Sequence, residues 1–329
     1  LFWKVCENML IDVSYPATLG DKAPTANVGS FKANGFEGNL NWSDKIGKVG
    51  YSIGGTFTYT TNKLTDNGKN KGIYIQDGEL YINASSDREG YPLNSVFGLK
   101  YAGKIRNEEQ LEKYLYRYTG NNTIDMPTNL RLGDNMYEDV NGDGKLTEED
   151  YVYLGTDDPK ISFSFNGGLN WNGFDFSVVF QGVGERTIWR TGSSNKSNDA
   201  WRIPVMKPHL NSPNFSVGDV WSPENPGAYY PTYTNVDQIN TYNYRCSSWS
   251  VENGNYLRLK NISLGYTFPA KWLEKTKFLT YARVYVTGSD LWETSKIRDG
   301  WDPEASREVT AYGRYPFTRN VTFGLNLTF

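Results

Sequence analysis

The sequence predicts an all-β fold: an antiparallel wall of roughly eight to ten long strands, forming part of a large transmembrane β-barrel with long extracellular loops. Three observations lead there. Apolar and polar residues alternate over runs of about ten residues, close to the 9–11 that a tilted strand needs to cross a bilayer and longer than the five or six usual in soluble sheets. The connections sort into short turns at one end and long polar loops at the other, the asymmetry of outer-membrane barrels. Mean hydropathy is −0.61 although 15% of residues are aromatic. That mixture suits a soluble all-β protein, and equally a barrel whose polar lumen face cancels its lipid face in the average.

Each element can be justified in order. Phe36, Leu40 and Trp42 alternate with Glu37, Asn39 and Asn41. Residues 51–60 set Tyr51, Ile53, Phe57 and Tyr59 against Ser52, Thr56, Thr58 and Thr60. A helix is predicted over 107–118, where Leu111, Tyr114, Leu115 and Tyr118 form a stripe and acidic residues fill the first turn. Residues 161–171 alternate Ile161, Phe163, Phe165, Leu169 and Trp171 with Ser162, Ser164, Asn166, Gly168 and Asn170. Asn172-Gly173 then reads as a two-residue hairpin turn, leading into Phe174, Phe176, Val178 and Phe180. Between 256 and 268 the phase slips from Leu257 and Leu259 to Ile262, Leu264, Tyr266 and Phe268, which predicts a bulge near Lys260 and Asn261. The closing run alternates Val321, Phe323, Leu325, Leu327 and Phe329 with Asn320, Thr322, Gly324, Asn326 and Thr328. The short connections are 43–49, 172–173 and a helical-looking 269–277; the long ones are 61–90, 187–255 and 293–318.

Composition excludes several functions. A net charge of −3 gives no electrostatic case for nucleic acid. No run approaches the ~18–20 apolar residues of a transmembrane helix, and residues 1–10 lack the pattern of a signal peptide. Cys6 and Cys246 stand too far apart for a metal motif. The single histidine, His209, lies in a Pro/Asn/Ser-rich loop with no nucleophile motif beside it. Asp290, Glu293, Asp299, Asp302 and Glu304 gather in loops, but among 37 acids a close pair arises by chance. No enzyme is predicted.

The sharpest motif is DVNGDGKLTEED, residues 139–150, which matches the first half of the twelve-residue calcium loop D-x-[DN]-x-[DN]-G. Asp139, Asn141 and Asp143 would supply side-chain oxygens, Lys145 its backbone carbonyl, and Thr147 its hydroxyl or a water. Asp150 occupies position twelve, one methylene shorter than the usual glutamate. The alternative is an acidic turn that holds no metal. A calcium ion here would be structural, because no helix pair flanks the loop to act as a switch. The long loops are rich in aromatics, and Trp201, Trp221, Tyr229, Tyr230, Tyr233 and Trp249 are candidates for stacking on substrate or packing on a partner. The alternatives are packing within the loop itself and a girdle at the membrane interface.

Several segments together resemble the C-terminal part of the SusC/RagA family, the TonB-dependent outer-membrane transporters of Bacteroidetes. They are ANVGSFKANGFEGNLNW (26–42), EGYPLNSVFGLKYAGKI (89–105), YEDVNGDGKLTEEDYVYLGT (137–156), PKISFSFNGGLNWNGFDFSVVFQG (159–182), VENGNYLRLKNISLGYTFP (251–269), GWDPE (300–304) and NVTFGLNLTF (320–329). The resemblance implies a 22-stranded barrel of which residues 1–329 are the C-terminal part, closing on a terminal Phe329 that signals barrel assembly. It implies an N-terminal plug and a TonB-contacting segment, neither of which is recognisable in this chain. It also implies an outer-membrane location among lipid, a SusD-like surface lipoprotein as a hinged lid, and active import of glycans or oligopeptides. Two rivals from other classes are a soluble, calcium-stabilised carbohydrate-binding β-sandwich and an enzyme on a β scaffold.

Overall fold

The computed structural model describes residues 1–12, 25–67, 73–76, 79–82, 88–118, 126–189, 218–298, 302–304 and 318–329. Its strands are β1 (Phe2–Asp12), β2 (Thr25–Ile46), β3 (Val49–Asn67), β4 (Ile73–Gln76), β5 (Glu79–Ile82), β6 (Ser95–Gly98), β7 (Tyr101–Lys104), β8 (Asn135–Tyr137), β9 (Val152–Thr156), β10 (Ile161–Trp171), β11 (Phe174–Gly184), β12 (Thr187–Trp189), β13 (Val251–Asn253), β14 (Tyr256–Thr267), β15 (Tyr281–Ser295) and β16 (Asn320–Thr328). Helices are α1 (Glu108–Tyr118), α2 (Asp237–Asn243) and the single turn α3 (Ala270–Leu273).

Eight strands form one antiparallel sheet in the order β1-β2-β3-β10-β11-β14-β15-β16, so each long insertion rises from the same end and the chain returns beside the strand it left. The turns at the opposite end are short. Asn172 and Gly173, at φ of 48° and 89°, make the expected left-handed hairpin between β10 and β11. The expected bulge is present, because pairing skips Lys260 between Leu259 and Asn261. Two strands run past their expected limits. Pairing of β2 with β3 continues to Ile46 opposite Val49, leaving Gly47-Lys48 as the turn in place of 43–49, and upward to Gly29 opposite Asn67. The overrun residues are mostly polar or small, with Val28, Phe31 and Leu64 among them, and a ladder bonds through its main chain and does not need alternation above the apolar zone. Alternation alone marks neither β1 nor β15.

Register lines the apolar residues up on one face. Tyr59 stands opposite Phe36, Phe57 opposite Phe163, Phe165 opposite Phe180, Phe176 opposite Leu264, Leu264 opposite Val286 and Val286 opposite Phe323. That face is uncovered: Leu40 is 78% exposed, Trp42 60%, Trp171 51% and Phe323 81%. The opposite face carries Asn39, Thr56, Ser164, Ser177, Ser263, Thr287 and Thr322, with Thr56 bonded to Ser164 at 2.6 Å and Ser263 to Thr287 at 3.1 Å. Gly324 belongs there too, and only the absence of a side chain lets the Tyr285 ring lie across it.

The buried core lies elsewhere. The insertions between β3 and β10 and between β11 and β14 pack into a module around Leu99, Ile105, Tyr114, Tyr118, Leu130, Tyr137, Leu146, Ile239 and Tyr242. The helix expected at 107–118 is α1, capped by the Asn107 side chain accepting from the Gln110 amide at 2.9 Å, and it buries Tyr114 and Tyr118 in this core.

Candidate functional site

Where the module meets the polar wall, Arg258 on β14 is fully buried among three carboxylates. Its guanidinium reaches Glu293 on β15 at 2.5 Å, Asp302 at 2.6 Å and Glu304 at 2.8 Å. Lys260, the bulge residue, reaches both Asp290 and Glu304 at 3.1 Å, and the Tyr256 hydroxyl donates to Glu304 at 3.1 Å. Arg186 donates to the Pro303 carbonyl at 2.5 Å and pairs with Asp157 at 2.9 Å. Further along, the Arg298 guanidinium lies 3.7 Å from the Tyr229 ring centre, and its amide donates to Glu252 at 2.9 Å. Arg298, Asp302, Pro303 and Glu304 thus act as a strap between the module and the wall, and the acids Asp290, Glu293, Asp302 and Glu304 are brought together as partners of cations. An ion cluster around a buried guanidinium is weak evidence for added stability, because desolvation offsets the attraction. Asp299 and His209 lie outside the described residues.

The loop 139–150 folds on its own amides. Asp139 accepts from the Gly142 amide at 2.7 Å and the Gly144 amide at 2.9 Å, and Arg117 of α1 approaches it at 3.0 Å. Asn141 accepts from the Asp143 amide at 2.9 Å and Asp143 from the Lys145 amide at 2.8 Å. Gly142 and Gly144 supply the turns at φ of 77° and 81°. Burial pushes the Asp139 carboxyl up, but the Gly144 and Gly142 amides and Arg117 outweigh it and hold the group below its ordinary value. Asp150, expected as the twelfth-position ligand, is buried with its oxygens accepting from the Val140 amide at 2.7 Å and the Thr147 amide at 2.8 Å. Thr147 in turn accepts from the Glu149 amide at 3.2 Å, so Thr147 and Asp150 form a capping box. The loop therefore offers Asp139, Asn141, Asp143 and the Lys145 carbonyl as hard oxygen donors, each able to accept a second interaction. Thr147 and Asp150 frame it.

The aromatic candidates separate by burial. Trp221, Tyr230 and Trp249 are 7%, 4% and 9% exposed and serve as packing inside the module, which removes their faces from any ligand. Tyr229 is held between Trp249, stacked at 5.0 Å, and the Arg298 guanidinium. Tyr233 is 36% exposed, and Trp201 lies outside the described residues. Alternation and composition gave no hint of Lys104, whose ammonium donates to the carbonyls of Ala228 at 2.9 Å and Tyr229 at 2.7 Å. Burial pulls its pKa down to about 8.

Comparison with known proteins places this architecture. No family model matches the chain. It is 27% identical to TonB-dependent receptor P26 of Formosa agariphila over 348 residues, which cover 100% of this chain and 32% of the receptor. It is 28% identical to TonB-dependent receptor P3 of the same organism, across 98% of this chain and 31% of that receptor. With TonB-dependent receptor SusC of Bacteroides thetaiotaomicron the identity is 23%, across 100% of this chain and 29% of SusC. Among solved structures, a chain of the RagAB peptide transporter superposes with a TM-score of 0.67 at 20% identity, covering 99% of this chain and 32% of its own. The RagAB peptide importer in its "open-open" state gives 0.69 at 19% identity, covering 99% and 32%. The chain spans about a third of the length of the curated relatives it matches. Its homologues are thus TonB-dependent receptors, SusC among them, and its sheet has the fold of the RagAB chain.

Proposed function

We propose that this chain is the C-terminal wall of a TonB-dependent outer-membrane importer of the SusC/RagA kind. The observation that carries the reading is the sheet's inverted burial. Its large apolar side chains point away from the module and remain uncovered, while the face toward it is polar. Lipid is the solvent that suits such a face, because an exposed apolar area of this extent is costly in water. A β-sandwich would cover it with a second sheet, and among the described residues no element does so.

The remaining strands, the plug and the TonB-contacting segment would come from the rest of a longer protein. Catalysis has no place in this reading. Ligand captured under a SusD-like lid would pass along the polar wall once TonB displaces the plug, and the strapped module would form part of the outer vestibule. The cargo class is a large nutrient, glycan or oligopeptide. The full-length protein should require detergent and change gel mobility on boiling. Its release into buffer as a monodisperse monomer would sink the membrane reading.

We further infer that the loop 139–150 takes a calcium ion as a structural staple, through Asp139, Asn141, Asp143 and the Lys145 carbonyl. Bound calcium would supply charge that ties the loop's carboxylates together beside α1. After chelation, calorimetric titration of the full-length protein should show uptake that Asp139→Ala and Asp143→Ala abolish. Undiminished uptake in both variants would remove the loop from consideration.

A further inference from the structure

The short-turn end of the sheet carries two features that the import reading does not use. The first is a chain of aromatic rings along the lower edge of the apolar face. Trp171 stacks on Phe174 at 6.4 Å, Phe174 meets Tyr266 at 4.6 Å, Tyr266 meets Phe268 at 5.2 Å, and Phe268 meets Trp272 at 6.3 Å. Phe278 and Phe329 stack beside it at 6.2 Å, and both project into solvent, 63% and 75% exposed. At the other side of the sheet Trp42 donates its indole N–H to the Tyr51 hydroxyl at 3.4 Å, with Ile46 beyond it 70% exposed.

The second feature is charge. The turn after β14 reads PAKWLEKTKF and exposes Lys271, Lys275 and Lys277 around Trp272, which is 59% exposed. The end of β2 and the turn that follows it expose Lys45 and Lys48. Only Asp44 and Glu274 oppose these five lysines within the two turns, and none of the five makes an ion pair among the described residues. A turn that merely closed a hairpin would have no need of three lysines and two aromatics in the ten residues 269–278. Leu273 is the residue of α3 that it buries.

We propose that this rim binds the headgroups of anionic phospholipids in the leaflet facing the short turns. The rings occupy the boundary between hydrocarbon and headgroup, where amphipathic aromatics are at their most stable. Lysine stems at this rim would run along the apolar surface and lift their ammonium groups to the depth at which phosphates lie. Continuity with the uncovered apolar face selects a lipid over a soluble anion, since the rings and the cations meet along one edge.

The proposal rests on the membrane reading, and its test separates the two. The full-length protein would be reconstituted in phosphatidylcholine vesicles, and its association with spin-labelled phosphatidylglycerol compared with that of spin-labelled phosphatidylcholine. Preference for the anionic lipid by at least about fivefold, the equivalent of one lysine near a charged surface, is expected. It should fall to parity in the Lys271→Gln, Lys275→Gln, Lys277→Gln variant, persist with arginine at the same positions, and survive Lys113→Gln in α1. Parity in the unaltered protein, or a preference that outlasts loss of the three lysines, would overturn the proposal while leaving the membrane reading intact. Failure to insert into vesicles at all would overturn both.

Discussion

Phe323 on β16 and Tyr242 on α2 are aromatic residues of similar size in one chain, yet the first is 81% exposed and the second fully buried. Each is typical of its region. The sheet turns its large apolar residues outward and keeps its hydroxyls and amides inward, whereas the module follows the ordinary rule of soluble domains and gathers its aromatics at a centre. Even the module's polar atoms obey that rule: the Tyr114 and Tyr242 hydroxyls bond each other at 2.7 Å, and burial pushes Tyr114 up to about 12. One chain therefore holds two solvents' worth of design, and the polar wall and strap are where they meet.

The contrast can be broken most forcefully from the module side. Tyr242→Ala would open a cavity in the core and orphan the Tyr114 hydroxyl, at a cost of about 3–5 kcal/mol. Hydrogen exchange should rise across 99–151 and 237–248 while boiling-dependent gel mobility, which reports the sheet, stays as it was. Loss of the mobility shift would mean that the regions fold as one unit. From the sheet side, Phe323→Arg places a charge on the outward face and should destabilise the protein in bilayers by about 2–4 kcal/mol if the site lies near the midplane. In a water-facing sheet the same change would stay within about 0.5 kcal/mol, so unfolding in lipid distinguishes the two.

A pH effect sharpens the comparison further. Lys104 has its pKa lowered to about 8 in the folded module from 10.5, so between these values the unfolded module binds more protons than the folded one. Stability of the module should accordingly rise with pH across that window. Comparing its hydrogen exchange at pH values near both ends, with and without Lys104→Met, would check the sign. A slope that persists in the variant would assign it to another group.

The sheet was legible in the sequence to the degree that its two faces differ. An uncovered apolar face set against a polar one gives a strict period of two, so β10, β11, the Asn172-Gly173 turn, the Lys260 bulge and β16 could all be read directly. The overruns of β2 and β3 could not, because polar and small residues interrupt the alternation there around Val28, Phe31 and Leu64. The module was nearly silent for a different reason. Its contacts join residues far apart in sequence, as Tyr114 joins Tyr242 and Lys104 joins Tyr229, and no local period encodes such a pairing. That is also why the sequence left Trp221, Tyr230 and Trp249 open between contact with a ligand or partner and packing within the loop: aromatic content marks a surface or a core equally well until the partner segment is known. Asp139, Asn141 and Asp143 sit in one compact loop as their spacing required, since a twelve-residue motif carries its own geometry.

The strap also dictates an order of events. Arg258 and Glu293 belong to neighbouring strands and can meet as soon as the β14–β15 hairpin forms. Asp302 and Glu304 reach the same guanidinium from chain that follows that hairpin, while Arg298 must find Tyr229 and Glu252 on the insertion between β11 and β14 that precedes it. These contacts can close only when the hairpin and the preceding insertion are both in position, which makes them the clasp of the assembly: the piece whose closure certifies that everything it spans has already been built.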